Sequence, residues 1–167
     1  MQKRPDVTPP IKDLDLGATL SFLSSIWRLN HCLERASKHM ESRIGVTGQQ
    51  RMVIRVIGRY PRITPGQVAR ALWIDAGTLS AALKRLEARK LVRRERDAND
   101  RRRVMLQLTE AGAVYDVPTA ATVEAAVEAA LANEPVEASA EARRFIEALA
   151  KRINEVAEFP VDQALEP

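Results

Sequence analysis
Apolar residues recur at helical spacing along most of this chain and switch to strict alternation in one short stretch. Leu16, Leu20, Leu23, Trp27, Leu33, Ala36 and Met40 form one stripe, which predicts a long amphipathic helix from about Asp15 to Gly45. Thr47-Gly-Gln-Gln50 has capping-box spacing, and Met52, Val53, Val56 and Ile57 carry a second helix to about Arg59. Tyr60-Pro61 stops that helix, because the residue before a proline is pushed out of the helical region. Thr64-Pro65-Gly66-Gln67 repeats the capping signature with proline at the first helical position, so a short third helix is predicted over Pro65 to Leu72. Trp73-Ile74 turns the chain, and Asp75 is placed to cap a fourth helix whose buried face is Leu79, Ala82, Leu83 and Leu86.

After Lys90 the period falls to two. Leu91 to Arg96 reads as one strand and Val104, Leu106 and Leu108 as a second, joined by the turn-forming run Asp97-Ala-Asn-Asp100. Thr109 is placed to cap a long alanine-rich helix through Val114, Val123, Val127 and Leu131 to about Asn133, kinked at Pro118. A last helix, roughly Pro135 to Ala157, presents Phe145, Leu149, Ile153 and Val156 on one side. The pattern defines a mainly α fold with a small antiparallel β-wing, a winged helix-turn-helix with long N- and C-terminal dimerisation helices. Residues 1–14, with Pro5, Pro9 and Pro10, form a flexible arm. Residues 46–112 form the winged lobe, and 15–45 with 113–167 form a helical dimerisation region, since neither end helix has a core of its own.

The composition narrows the class. With 167 residues, 46% of them hydrophobic, a single domain with its own core is the default. No run approaches the ~20 apolar residues of a membrane span, and Met1-Gln-Lys-Arg-Pro-Asp6 lacks a signal peptide's apolar core, so a cytoplasmic protein away from membranes is expected. Cys32 is the single cysteine, which excludes an internal disulfide framework. With His31 and His39 it is too thin a set for a closed zinc site, so neither metal nor cofactor is expected. No phosphate-cradling glycine loop or nucleophile with a recognisable base is present, which argues against an enzyme.

Charge is uneven. From Lys84 to Arg103 there are ten basic side chains against four acidic ones, a net +6, whereas twelve carboxylates from Glu110 to Glu166 meet only four cations. The basic run coincides with the fourth helix and the wing. On that helix Gly77, Ala81, Lys84 and Ala88 point away from the apolar stripe, with Thr78, Ser80 and Arg85 on the flanks. Small residues near the start and cations further along suit close approach to a DNA groove.

The order helix, turn, recognition helix, strand, Asp-Arg tip, strand, Leu-Thr-Glu-x-Gly resembles the MarR family of dimeric winged-helix regulators. The resemblance is carried by Asp97-Ala-Asn-Asp100-Arg101-Arg102-Arg103 followed by Leu108-Thr109-Glu110-Ala111-Gly112, and it is strong from Gln67 to Gly112. It implies a homodimer, interlocked by first and last helices, on double-stranded DNA carrying an inverted-repeat operator. Each fourth helix would enter a major groove and each wing the adjacent minor groove. The candidate contacts are then Thr78, Ser80, Ala81, Lys84 and Arg85 on the helix and Asp100, Arg101, Arg102 and Arg103 on the wing. Asp100 is read as a brace for an arginine or as a plain turn residue. Solvated strand positions are the favoured reading for Arg93, Arg94 and Arg96.

Three positions depart from the family pattern. Lys90 stands where glycine is common and Ala98 where proline is frequent. Ala81 occupies the place of a base-reaching arginine. The run Asp75 to Lys84 is similar to the organic-hydroperoxide-sensing branch, whose sensing cysteine would fall near Leu23. Cys32 lies nine positions later, about 2.5 helical turns, on the opposite side of the helix. A packed, inert Cys32 is therefore the first reading, and a displaced redox thiol activated by His31 or an arginine is the alternative.

The resemblance also implies release of DNA, as by a repressor, on binding a small aromatic or anionic effector. Trp27 with His31, and Arg51 with Arg55, are each one helical turn apart and could form a stacking surface and a carboxylate-binding pair. Core packing of Trp27 and surface exposure of both arginines is the weightier reading. A winged-helix module that pairs with proteins through its acidic end is the remaining alternative; the basic wing argues against it.

Overall fold
The computed structural model describes residues 15–97, 100 and 102–157. The chain divides into two compact units, Met1–Pro118 and Thr119–Pro167. The predicted arm of residues 1–14, together with Ala98, Asn99 and Arg101, lies outside the described residues.

In the first unit α1 spans Gly17–Ile44 and ends where Gly45 turns left-handed at φ 75° and donates its amide to Glu41. The helix α2, Gly48–Arg59, starts from a reciprocal box: the Gln50 amide donates to Thr47 Oγ1 and the Thr47 amide to Gln50 Oε1, both at 3.2 Å. Thr64 and Gln67 make the same box for α3, Pro65–Leu72. Asp75 caps α4, Ala76–Ala88. Two strands follow, β1 (Val92–Arg96) and β2 (Val104–Leu108), antiparallel with Val92 opposite Leu108 and Arg96 opposite Val104. Ile63, just before α3, adds a single bridge to Leu106 on the other edge of β2.

Val46, Val53, Ile54, Ile57, Val68, Leu79, Leu83, Leu86, Leu91, Val92 and Leu106 make one buried cluster that joins α2, α3, α4 and the root of the wing. Leu79, Ala82, Leu83 and Leu86 are all buried, so the apolar stripe of α4 fixes the opposite face outward. Leu91 falls just outside β1 and spends its carbonyl on the Thr109 amide at 3.1 Å. Lys90, in the place of the common glycine, is left-handed at φ 57°.

The predicted long helix after Thr109 is a correction. Only a single turn, α5 (Glu110–Ala113), forms there, and helix resumes in the second unit as α6 (Val123–Leu131). Pro118 does more than kink. It removes an amide donor and crowds the preceding turn, and Ala121 adopts φ 59°. The carbonyls between are claimed by α2: Arg51 donates to Tyr115 O at 2.8 Å and Val117 O at 2.7 Å, and Arg55 donates to the Asp116 carbonyl and to its carboxylate. Two guanidinium groups thus replace the helical ladder.

In the second unit Thr122 caps α6, accepting from the Ala125 amide at 3.3 Å, and α7 runs Val136–Ala157. Val127, Leu131, Phe145, Ile146, Ile153 and Val156 are exposed in this single chain.

Candidate nucleic-acid interface
The outward face of α4 is open. Ser80, Ala81, Lys84 and Arg85 are exposed and Thr78 is half-buried. Lys84 and Arg85 pair with no carboxylate among the described residues, so both charges are available to a polyanion. Nothing lies within 4 Å of the space a side chain would take at Gly77 except Asp75 Oδ1 at 3.1 Å. The first turn of α4 therefore presents backbone and short side chains only.

Asp75 makes two bonds to Thr78: its Oδ1 accepts the Thr78 amide at 2.8 Å and its Oδ2 accepts the Thr78 hydroxyl at 2.5 Å. The hydroxyl bond, then the amide bond, hold the Asp75 carboxylate below its ordinary value of 3.8. Thr78 thus meets solvent with its hydroxyl proton already engaged.

The wing is built by β1, β2 and a tight tip. Asp97 donates its amide to Arg103 O and Arg103 donates back to Asp100 O, both at 2.9 Å. Asp100 Oδ1 accepts from the Arg102 amide at 3.0 Å, so its brace acts on the backbone of an arginine. Arg102 and Arg103 are exposed; the third wing candidate, Arg101, lies outside the described residues. On the strands, Arg93 pairs with Glu95 at 2.9 Å and Arg94 with Glu87 at 2.6 Å, both at the surface.

Three residues near this surface escaped the sequence reading. Trp73, the left-handed C-cap of α3, is 84% exposed immediately before the α4 cap. Arg62, in the loop between α2 and α3, reaches Asp97 Oδ2 at 3.4 Å and ties that loop to the end of β1. Arg89, inside the basic run, is not a free cation: it donates to the Gly45 carbonyl and to the Tyr115 hydroxyl and sits 5.8 Å from that ring's centroid. An exposed tryptophan in a tight turn was the one available sequence signal. The two arginines gave none, because their partners are 35 and 44 positions away.

The four effector candidates do not have the expected surroundings. Arg51 is 1% exposed and its guanidinium is bound to the Tyr115 and Val117 carbonyls, so surface exposure is corrected to burial. Arg55 is half-buried against Asp116. Trp27 is 70% exposed rather than packed in a core, and His31, one helical turn further along α1, is exposed too. Cys32, read first as packed, is a free and exposed thiol in the single chain.

A recognition helix packed over a three-helix core, with a basic two-stranded wing, defines a winged helix-turn-helix protein. Residues 44–103 match the sequence model of the MarR family. The organic hydroperoxide resistance transcriptional regulator of Bacillus subtilis is 31% identical over 77 residues, 46% of this chain and 52% of that protein. The HTH-type transcriptional regulator TtmR of Methylorubrum extorquens is 33% identical over 97 residues, 58% of this chain and 49% of that protein. The chain thus spans about half the length of these relatives. Among solved structures, Streptococcus pneumoniae FabT in complex with DNA superposes with a TM-score of 0.58 at 27% identity, covering 82% of this chain and 96% of that one. The S. aureus MepR–DNA complex does so with a TM-score of 0.62 at 21% identity, over 84% and 99%. The winged-helix lobe is thus similar to the MarR family, and both matched relatives are named as transcription regulators.

Among the described residues no helix is long and apolar enough to cross a membrane.

Proposed function
We propose that this chain is a dimeric, sequence-specific DNA-binding regulator, a repressor acting in the cytoplasm and released from DNA by a small effector. The observation that carries the reading is the open face of α4, with Thr78, Ser80, Lys84 and Arg85, continued by Arg102 and Arg103 on the wing. FabT and MepR were solved on DNA, and the shared fold supports the same mode of docking here. The exposed apolar side chains of α1 and α7 support a second copy as the partner of the end helices, since large apolar side chains repeated along a helix face are rarely left in water. Two α4 helices related by a twofold axis then require inverted half-sites about one helical turn apart. Trp27 and His31 are the groups left to meet an aromatic effector, because Arg51 and Arg55 are engaged.

Selection of bound genomic fragments followed by footprinting tests the proposal. The expected result is a protected inverted repeat, bound by a dimer in sedimentation. A footprint over one isolated half-site would count against it.

The exposed thiol favours a second reading in which Cys32 reports peroxide, as the name of the B. subtilis relative invites. Peroxide should then weaken binding by the parent and not by Cys32→Ser; equal responses would end this reading.

A further inference from the structure
We propose that Asp75 fixes Thr78 as a hydrogen-bond acceptor toward DNA, so that Thr78 selects adenine or cytosine on the strand it faces. The inference rests on the DNA-binding reading above and specifies what one residue of that surface reads.

A threonine hydroxyl ordinarily has one proton and two lone pairs and rotates to suit its partner, which makes it a poor discriminator of bases. Here the rotation is stopped. Asp75 Oδ2 lies 2.5 Å from Thr78 Oγ1, while Oδ1 of the same carboxylate is held by the Thr78 amide at 2.8 Å. An ionised carboxylate has no proton to give, so the proton in the Oδ2–Oγ1 bond is the threonine's. The downward shift of Asp75 agrees, since the hydroxyl bond is its largest cause. What remains on Thr78 is lone pairs alone.

In the major groove the exocyclic amines of adenine and cytosine are donors, whereas guanine N7 and O6 and thymine O4 are acceptors. An acceptor-only Thr78 bonds the first two and faces the others with lone pair against lone pair. Close approach is open, because Gly77 beside it carries no side chain and Ala81 one turn on carries only a methyl group. Ser80 differs: its hydroxyl has no hydrogen-bond partner among the described residues and can serve either way.

The test is selection from a randomised duplex library with the full chain and two variants, each checked for helicity. Thr78→Val keeps the shape and removes the hydroxyl. Asp75→Asn keeps the cap through its amide oxygen, and its amide nitrogen now donates to Thr78 Oγ1, freeing the hydroxyl proton to point outward. The parent should enrich adenine and cytosine about tenfold over guanine and thymine at one position of each half-site. Thr78→Val should lose that preference while the other positions keep theirs, and Asp75→Asn should admit guanine and thymine to near parity there. A parent that selects a sequence which both variants select unchanged overturns the role of Asp75 and Thr78 alone. A parent that binds no duplex overturns the DNA-binding reading and this one with it.

Discussion

The α-carbon of Gly112 lies against the carbonyl oxygen of Leu91, so close that a β-carbon on residue 112 would overlap it. The same carbonyl accepts the Thr109 amide at 3.1 Å, and Thr109 Oγ1 in turn accepts the Gly112 amide at 3.0 Å while donating to Lys90 O at 2.6 Å. Leu108-Thr109-Glu110-Ala111-Gly112 is therefore a clasp between the end of β2 and the chain entering β1. Gly112→Ala must displace backbone and should lower stability by about 2 kcal/mol, read as a lower urea midpoint. Gly66→Ala, in open space at the second position of α3, should instead gain about 0.5 kcal/mol. Equal effects of the two would refute the clasp.

Lys90 is held at φ 57° between α4 and β1. A left-handed conformation disfavours a residue with a β-carbon by about 1–2 kcal/mol, more than the extra chain entropy glycine loses on folding. Lys90→Gly should raise the urea midpoint by the equivalent of about 0.5–1 kcal/mol. A fall would mean that the lysine stem makes contacts that outweigh its backbone cost.

Much of the winged lobe was legible because its signals are local. The capping boxes Thr47/Gln50 and Thr64/Gln67, the Asp75 cap and the switch to alternation after Lys90 each act within four residues, and each sits where the pattern put it. The long helix after Thr109 failed because the decisive partners are remote. Arg51 lies 64 positions before Tyr115, and no period in the alanine-rich run records that its carbonyls are taken from α2. Trp27 misled because an apolar stripe marks a face without saying whether the chain's own core covers it, and Cys32 because burial is only the common state of a cysteine, which its surroundings here do not supply. The outward face of α4 was readable from its buried face. The lock on Thr78 needed distances.

Arg51 provides the third prediction. Its buried guanidinium satisfies two carbonyls of the non-helical segment, and Arg51→Met leaves both without their charged donor. The expected loss is about 3 kcal/mol, with faster amide exchange in residues 114–121 before the rest of the lobe. Arg51→Lys should recover only part, since an ammonium lacks the fork that spans Tyr115 O and Val117 O. Full recovery by lysine would show that charge, and not the paired geometry, matters.

Asp75 ties stability to pH. Its folded-state value is depressed below 3.8, so it contributes stability that is present above that value and lost as pH falls through the lower folded one. The melting-temperature advantage of the parent over Asp75→Ala should be constant from pH 7 to about pH 5 and shrink below about pH 4. An advantage that grew on acidification would have the wrong sign for an ionised cap.

The wing supplies the most direct measure of contact with DNA. Arg102 is exposed, and among the described residues only its backbone amide is held, by Asp100 at 3.0 Å, which aims the residue without neutralising its side chain. If that guanidinium meets one phosphate per subunit, binding releases about one condensed counterion there, and log K falls with log salt more steeply by about 0.9 for each such contact. Arg102→Ala should therefore weaken binding at low salt for specific and nonspecific duplexes alike, and lower the salt slope by about one per subunit. Arg94→Ala is the matched comparison: its charge is already paired with Glu87 at 2.6 Å, so its loss should leave the slope nearly unchanged. Anisotropy titrations across a salt series separate the two, and equal slopes for both variants would remove Arg102 from the interface.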